Sequence, residues 1–209
     1  MVLKRRFALG VVLAASVSGA EPGLKIAVFV YNYASISSEA LARAKAEAGR
    51  IYRHAGIDLE WLNCPLSQEQ AAQYPDCGVA PARTRLALRI LSRSMAERLR
   101  QDQDSFGFAL YPEDGGFAIV ANVFAHNAEE LARRRALSHG VILGDLMAHE
   151  LGHLLLGAGS HSAGGIMRVP WHKKELEIIA QGSLLFMPWE AERMRAQIRA
   201  RMSSERAAR

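Results

Sequence analysis

His149-Glu150-Leu151-Gly152-His153-Leu154-Leu155-Leu156-Gly157-Ala158-Gly159-Ser160-His161 is the stretch around which this 209-residue chain is organised. Its first five residues form an H-E-x-x-H pattern. On a helix the two histidines lie one turn apart and project from the same face. Two neutral imidazoles at that separation can converge on one zinc ion, at Zn–N distances of about 2.0–2.1 Å. Glu150 lies roughly a hundred degrees round the helix from His149. It can reach a water beside the metal without becoming a ligand, which is where a general base belongs. The surrounding residues, Leu146, Met147, Ala148, Leu151, Gly152, Leu154, Leu155 and Leu156, carry no charge. This is therefore a buried helix, and two histidines and a glutamate inside one are costly unless something pairs with them.

The apolar run stops at Gly157, and Gly157-Ala158-Gly159-Ser160 reads as a helix stop followed by a tight turn. The chain then offers His161, and six residues later Met167 within an apolar Gly165-Ile166-Met167 stretch. Three histidines leave one position of a tetrahedral zinc open, the arrangement of a catalytic site and not of a closed structural one. At this point the sequence resembles the metzincin zinc peptidases, which combine an extended H-E-x-x-H, a glycine bend, a third histidine and a methionine turn. The resemblance implies that His149, His153 and His161 are ligands of Zn2+, Glu150 the catalytic base and Met167 the turn methionine. The usual metzincin spacing would place the glycine at 156 and the third histidine at 159. Here those positions hold Leu156 and Gly159, so both features come later and the ligand loop is longer. No tyrosine follows Met167, where Arg168 and Val169 stand. His172, Glu175 and Glu177 remain alternative third ligands, a glutamate corresponding to a gluzincin-like site.

Residues 1–20 read as a secretory signal: Lys4, Arg5 and Arg6 are a basic start, Phe7 to Val17 an apolar stretch, and Ser18-Gly19-Ala20 a small-residue cleavage site. The apolar stretch is shorter than the roughly 20 residues of a membrane span. A mature chain beginning near Glu21 loses three bases and no acids, so the formal charge falls from +5 to +2. That balance excludes an electrostatic case for nucleic acid. The basic clusters at Arg133-Arg134-Arg135 and from Arg193 to Arg209 read as solvated helix faces. Cys64 and Cys77, the only cysteines, flank a polar loop and are expected to form a disulfide in an exported protein.

The remaining residues, 21–209, suit one domain with a sizeable core. Lys25 to Tyr33 reads as a strand, Ser37 or Ser38 as the cap of a helix to about His54, and Ile57 to Leu62 as a strand parallel to the first. Thr84 to Leu91 reads as a third strand and Ser92 to Arg100 as a short helix. Phe106 to Leu110 and Gly116 to Val123 read as two strands joined by the Tyr111-Pro112-Glu113-Asp114-Gly115 turn. Asn127 with Glu130 suggests a helix cap, Ser138 the start of the zinc helix, and Pro188 to Met202 a final helix with 203–209 frayed. Asp145 either supports a ligand ring or faces solvent, and His126 either lines the cleft or lies on the surface.

The expected fold is thus α/β (α+β), a metzincin-like single domain. A mixed twisted sheet would place an edge strand over the zinc helix, with the methionine turn and C-terminal helix below. By resemblance, Phe117 to Asn122 is the edge that pairs with extended substrate. The expected function is a secreted or periplasmic zinc metallopeptidase acting as a monomer on a peptide or protein, with no stable membrane insertion. The rival from another class is an exported zinc-binding or interaction protein that performs no chemistry.

Overall fold

The computed structural model describes residues 23–78, 83–99 and 105–207. The expected leader, residues 1–20, lies outside the described residues. Among the described residues five strands form one sheet, covered mainly on one face by helices. β1 (Leu24–Asn32) leads into α1 (Ser38–His54), whose first turn is capped by the Ser37 side chain accepting from the Ala40 N–H at 3.3 Å. Leu41, Ala44, Ala48, Ile51 and Tyr52 of α1 are buried, following its 3.6-residue period. The chain turns at Gly56, where φ is +75°, a conformation that costs glycine little. β2 (Ile57–Asn63) then pairs in parallel with β1. A loop with α2 (Gln68–Ala71) and one turn of 3-10 helix follows, closed by the Cys64–Cys77 disulfide.

β3 (Arg85–Leu91), α3 (Arg93–Arg98), β4 (Gly107–Leu110) and β5 (Val120–Phe124) complete the sheet, whose order is β2-β1-β3-β5-β4. Only the β4–β5 pair is antiparallel. The expectation that 117–122 forms the free edge is therefore corrected. β5 lies between β3 and β4, and β4 is the edge. The reason is burial: Ala121 and Val123 pack into the main core while Asn122 and Phe124 are buried on the opposite face, so β5 is covered on both sides.

α4 (Ala125–Arg135) precedes α5 (His139–Leu156), α6 (Lys173–Ala180) and α7 (Pro188–Ala207). α4 begins directly after Phe124, so Asn127 is inside the helix and is not its cap; its amide donates to the Ser105 carbonyl at 2.6 Å. Every residue of α5 except His139 and Val141 is buried or, at Gly140 and Gly144, pressed against α1. A Cβ on Gly144 would lie 2.6 Å from the Ala44 carbonyl oxygen, so the absence of a side chain is what allows the two helices to approach. Each buried Leu or Ile of α5 contributes about 1.5–3 kcal/mol of apolar transfer. The helix that carries the histidines is thus also the spine of the core.

α7 runs through Ala207, so residues 203–207 are helical where fraying was expected. Glu205 explains the extra turn, because its carboxylate accepts from the Thr84 N–H at 2.8 Å and from the Thr84 hydroxyl. Arg201 of α7 is wholly buried. It donates to the carbonyls of Arg83 and Leu154, and its guanidinium lies 4.9 Å from the Phe117 ring centroid. Among the described residues no helix is long and apolar enough to cross a membrane.

Candidate metal centre

The i, i+4 spacing on α5 brings His149 and His153 together edge to face, with ring centroids 4.7 Å apart. Gly157 ends the helix with φ +97°, its N–H donating to the His153 carbonyl at 2.9 Å, and Gly159 takes φ +67°. These two residues turn the chain back, so His161 reaches the same point, 5.4 Å from the His149 ring and 4.8 Å from that of His153. One nitrogen from each imidazole lies within 4.8 Å of the others. The three histidines are brought together as the spacing anticipated, and the longer loop is the means.

Outer contacts orient the rings. His149 donates its Nδ1–H to the Ile166 carbonyl at 2.8 Å, and the Trp171 indole N–H shares that oxygen at 3.3 Å. His153 Nδ1 is 2.9 Å from the Ser160 hydroxyl. These bonds turn the two Nε2 atoms toward each other, 3.0 Å apart. Burial pushes His149 down to about 4, and burial with the neighbouring imidazoles pushes His153 down to about 3; burial also lowers His161. All three are therefore neutral at pH 7, the protonation state that ligates metal. Three converging neutral imidazoles, two of them oriented by outer hydrogen bonds, fit a borderline divalent ion such as zinc.

Glu150 is 4% exposed, and its Oε2 has no hydrogen-bond partner. Burial pushes its carboxyl up to about 8. The edge strand closes over it at Gly107, where a Cβ would meet the Glu150 side chain at 2.7 Å. His149, Glu150, His153 and His161 share a cavity of about 540 Å³, walled by Gly107 and Ala109 on one side and Pro170 and Trp171 on the other.

Met167 is fully buried beneath the site: a Cβ on Gly152 would lie 2.7 Å from its sulfur. The turn carrying it is held by the Ile166 N–H donating to the Leu185 carbonyl at 2.8 Å and the Ser162 N–H donating to the Met167 carbonyl at 3.2 Å. Glu190, buried at the start of α7, accepts from the Ser162 hydroxyl and from the Met187 N–H. It ties the residue after His161 to the last helix.

The two alternative glutamates are engaged elsewhere, and His172, just before α6, does not line the cavity. Glu175 accepts from the His172 N–H at 2.9 Å, capping α6, and lies 3.5 Å from Arg168. Glu177 faces Lys173 at 3.8 Å. His126 sits in α4 beside Phe124 and does not line the cavity. Asp145 does neither of the things expected of it, being fully buried with both oxygens unpartnered. Tyr111, in the turn between the two expected strands, lines the cavity and donates to the His153 carbonyl at 3.1 Å. Burial, with Glu150 second, pushes its hydroxyl up to about 12, so it stays a donor. Nothing local marks Tyr111, because its partner is 42 residues away.

The fold and site define the chain as an α/β protein with a three-histidine centre able to hold a metal ion. It matches no protein-family model and no curated protein.

Proposed function

We propose that the protein is an exported, metzincin-like zinc metallopeptidase. The observation that carries this reading is the shared cavity, in which three neutral imidazoles converge beside a buried glutamate with one unpartnered oxygen, under β4, the edge strand among the described residues. A protein that only stored zinc through histidines would have no use for Glu150 at that position. The Cys64–Cys77 disulfide supports an oxidising compartment, periplasmic or extracellular.

Zinc held by His149, His153 and His161 would supply Lewis acidity, polarising a carbonyl and acidifying water. The chain's own residues do the rest. The unpaired backbone groups of β4 bind extended peptide with little regard for its side chains. Burial alone favours the neutral form of Glu150; a cation held by the adjacent imidazoles would favour its carboxylate, and in that form it takes a proton from the attacking water and passes it to the leaving amine. The walls formed by Gly107, Ala109 and Trp171 offer substrate an apolar surface beside the imidazoles.

The test is cleavage of a complex peptide mixture by the zinc-loaded chain, read by mass spectrometry beside Glu150→Gln. The variant should retain stoichiometric zinc by elemental analysis and lose about 10²–10⁴-fold in turnover. Cuts that persist in Glu150→Gln would refute the assigned base. No cuts from a folded, zinc-loaded chain would refute the peptidase reading in favour of a non-catalytic zinc protein.

A further inference from the structure

A second hollow, of about 340 Å³, lies on the far face of the sheet, behind the same edge strand. Residues alternate across a strand. Gly107 and Ala109 of β4 accordingly line the metal cavity, while Leu110 lines only the far-face hollow and Phe108 reaches both. Met95 and Leu99 of the α3 region form its opposite wall. Its surface is unusual for an outer sheet face, since Leu99 and Leu110 are 46% and 45% exposed. Two guanidinium groups, Arg89 of β3 and Arg98 of α3, border this apolar floor, and neither has an acidic partner among the described residues.

We propose that this hollow is a second side-chain subsite of the peptide cleft and that it selects an acidic residue. The inference rests on the peptidase reading and deepens it by naming a substrate class. A strand added to the free edge of β4 continues the alternation of that strand. If one of its side chains lies over the metal cavity, the next one along lies over the far-face hollow. A glutamate suits that position best. Its methylenes cover Phe108 and Leu110, and its carboxylate meets Arg89 and Arg98, whose forked donors match a carboxylate. A lysine there brings like charge to two unpaired arginines. Selection of alternate residues on opposite faces of one edge is therefore built into the fold.

The experiment compares two matched peptide series, identical except for Glu or Lys at alternate positions. Cleavage is measured with the zinc-loaded chain, and fluorescence-anisotropy binding with its Glu150→Gln variant. Both readouts should favour the Glu series, on the order of five-fold per exposed ion pair, with the preference shrinking as salt rises. Arg89→Glu and Arg98→Glu should each largely abolish it, the double variant should reverse it, and Arg98→Lys should keep its direction. Equal handling of the two series, or a loss in the reversed-charge variants that is equal for both, would overturn the subsite while leaving the peptidase reading intact. Failure of the unmodified chain to cleave either series, together with no binding, would remove both.

Discussion

Replacing Gly144 by alanine sets helix propensity against packing at the α1–α5 crossing. In an isolated helix the change is favourable by about 1 kcal/mol, because alanine restricts the unfolded backbone. In this structure the new Cβ would lie 2.6 Å from the Ala44 carbonyl oxygen and 2.7 Å from the Glu47 Cβ, where ordinary contact begins at 3.4 Å. The first obstacle is backbone, so no rotamer change relieves it, and α1 must retreat by about 0.8 Å. Overpacking of this kind costs about 1–3 kcal/mol. With the propensity gain subtracted, the net loss is about 0–2 kcal/mol. For a domain of this size, that lowers Tm by up to about 8 °C. Calorimetry with a urea titration would measure it, the unchanged m-value showing that the same cooperative unit unfolds. A rise of Tm by a few degrees would show that propensity decides and that the close crossing is not a constraint.

Two further perturbations address the charges and contacts around the centre. Asp145 is held above the ordinary carboxylate range by burial first and by Glu47 second, with Arg50 opposing. A raised folded pKa means that ionised Asp145 destabilises the fold. The penalty is absent below its unfolded pKa and grows as pH rises from there toward the folded value. Asp145→Asn should therefore raise Tm at pH 8 more than at pH 4, and an equal shift at both would rule out the carboxylate's charge as the cause. Ser160→Ala removes the partner of His153 Nδ1. It should weaken zinc by about 10–100-fold in a chelator competition without unfolding the chain, and unchanged affinity would show that the hydroxyl does not orient the ring.

The centre was legible in the sequence because most of it is local. His149, Glu150 and His153 lie on one helix whose period fixes their faces. His161 follows within a loop that two glycines can turn, and the structure places all three imidazoles together. Legibility failed where position depends on partners distant in the chain. Both 106–110 and 117–123 are apolar runs, and local pattern does not say which lies at the edge; the burial of Asn122 and Phe124 on the second face of β5 decides it. Asn127 carries a cap's spacing to Glu130, but its amide is drawn to Ser105, 22 residues earlier. The Tyr111–His153 hydrogen bond and the burial of Asp145 escaped for the same reason, as each depends on another element.

Arg201 puts an order of events into the life of the chain. The last turn of any helix leaves carbonyls without partners. Here one of them, on Leu154, is filled by a guanidinium carried 47 residues downstream on α7. A nascent chain that has just emerged as far as His161 already holds every proposed ligand, yet the end of its metal helix is still open. The Leu154 carbonyl gains this partner only once α7 has docked, so the end of the helix that carries the histidines is completed by an element far downstream. A chain cut short before α7 would carry the whole histidine set and still lack the group that seals the helix behind it.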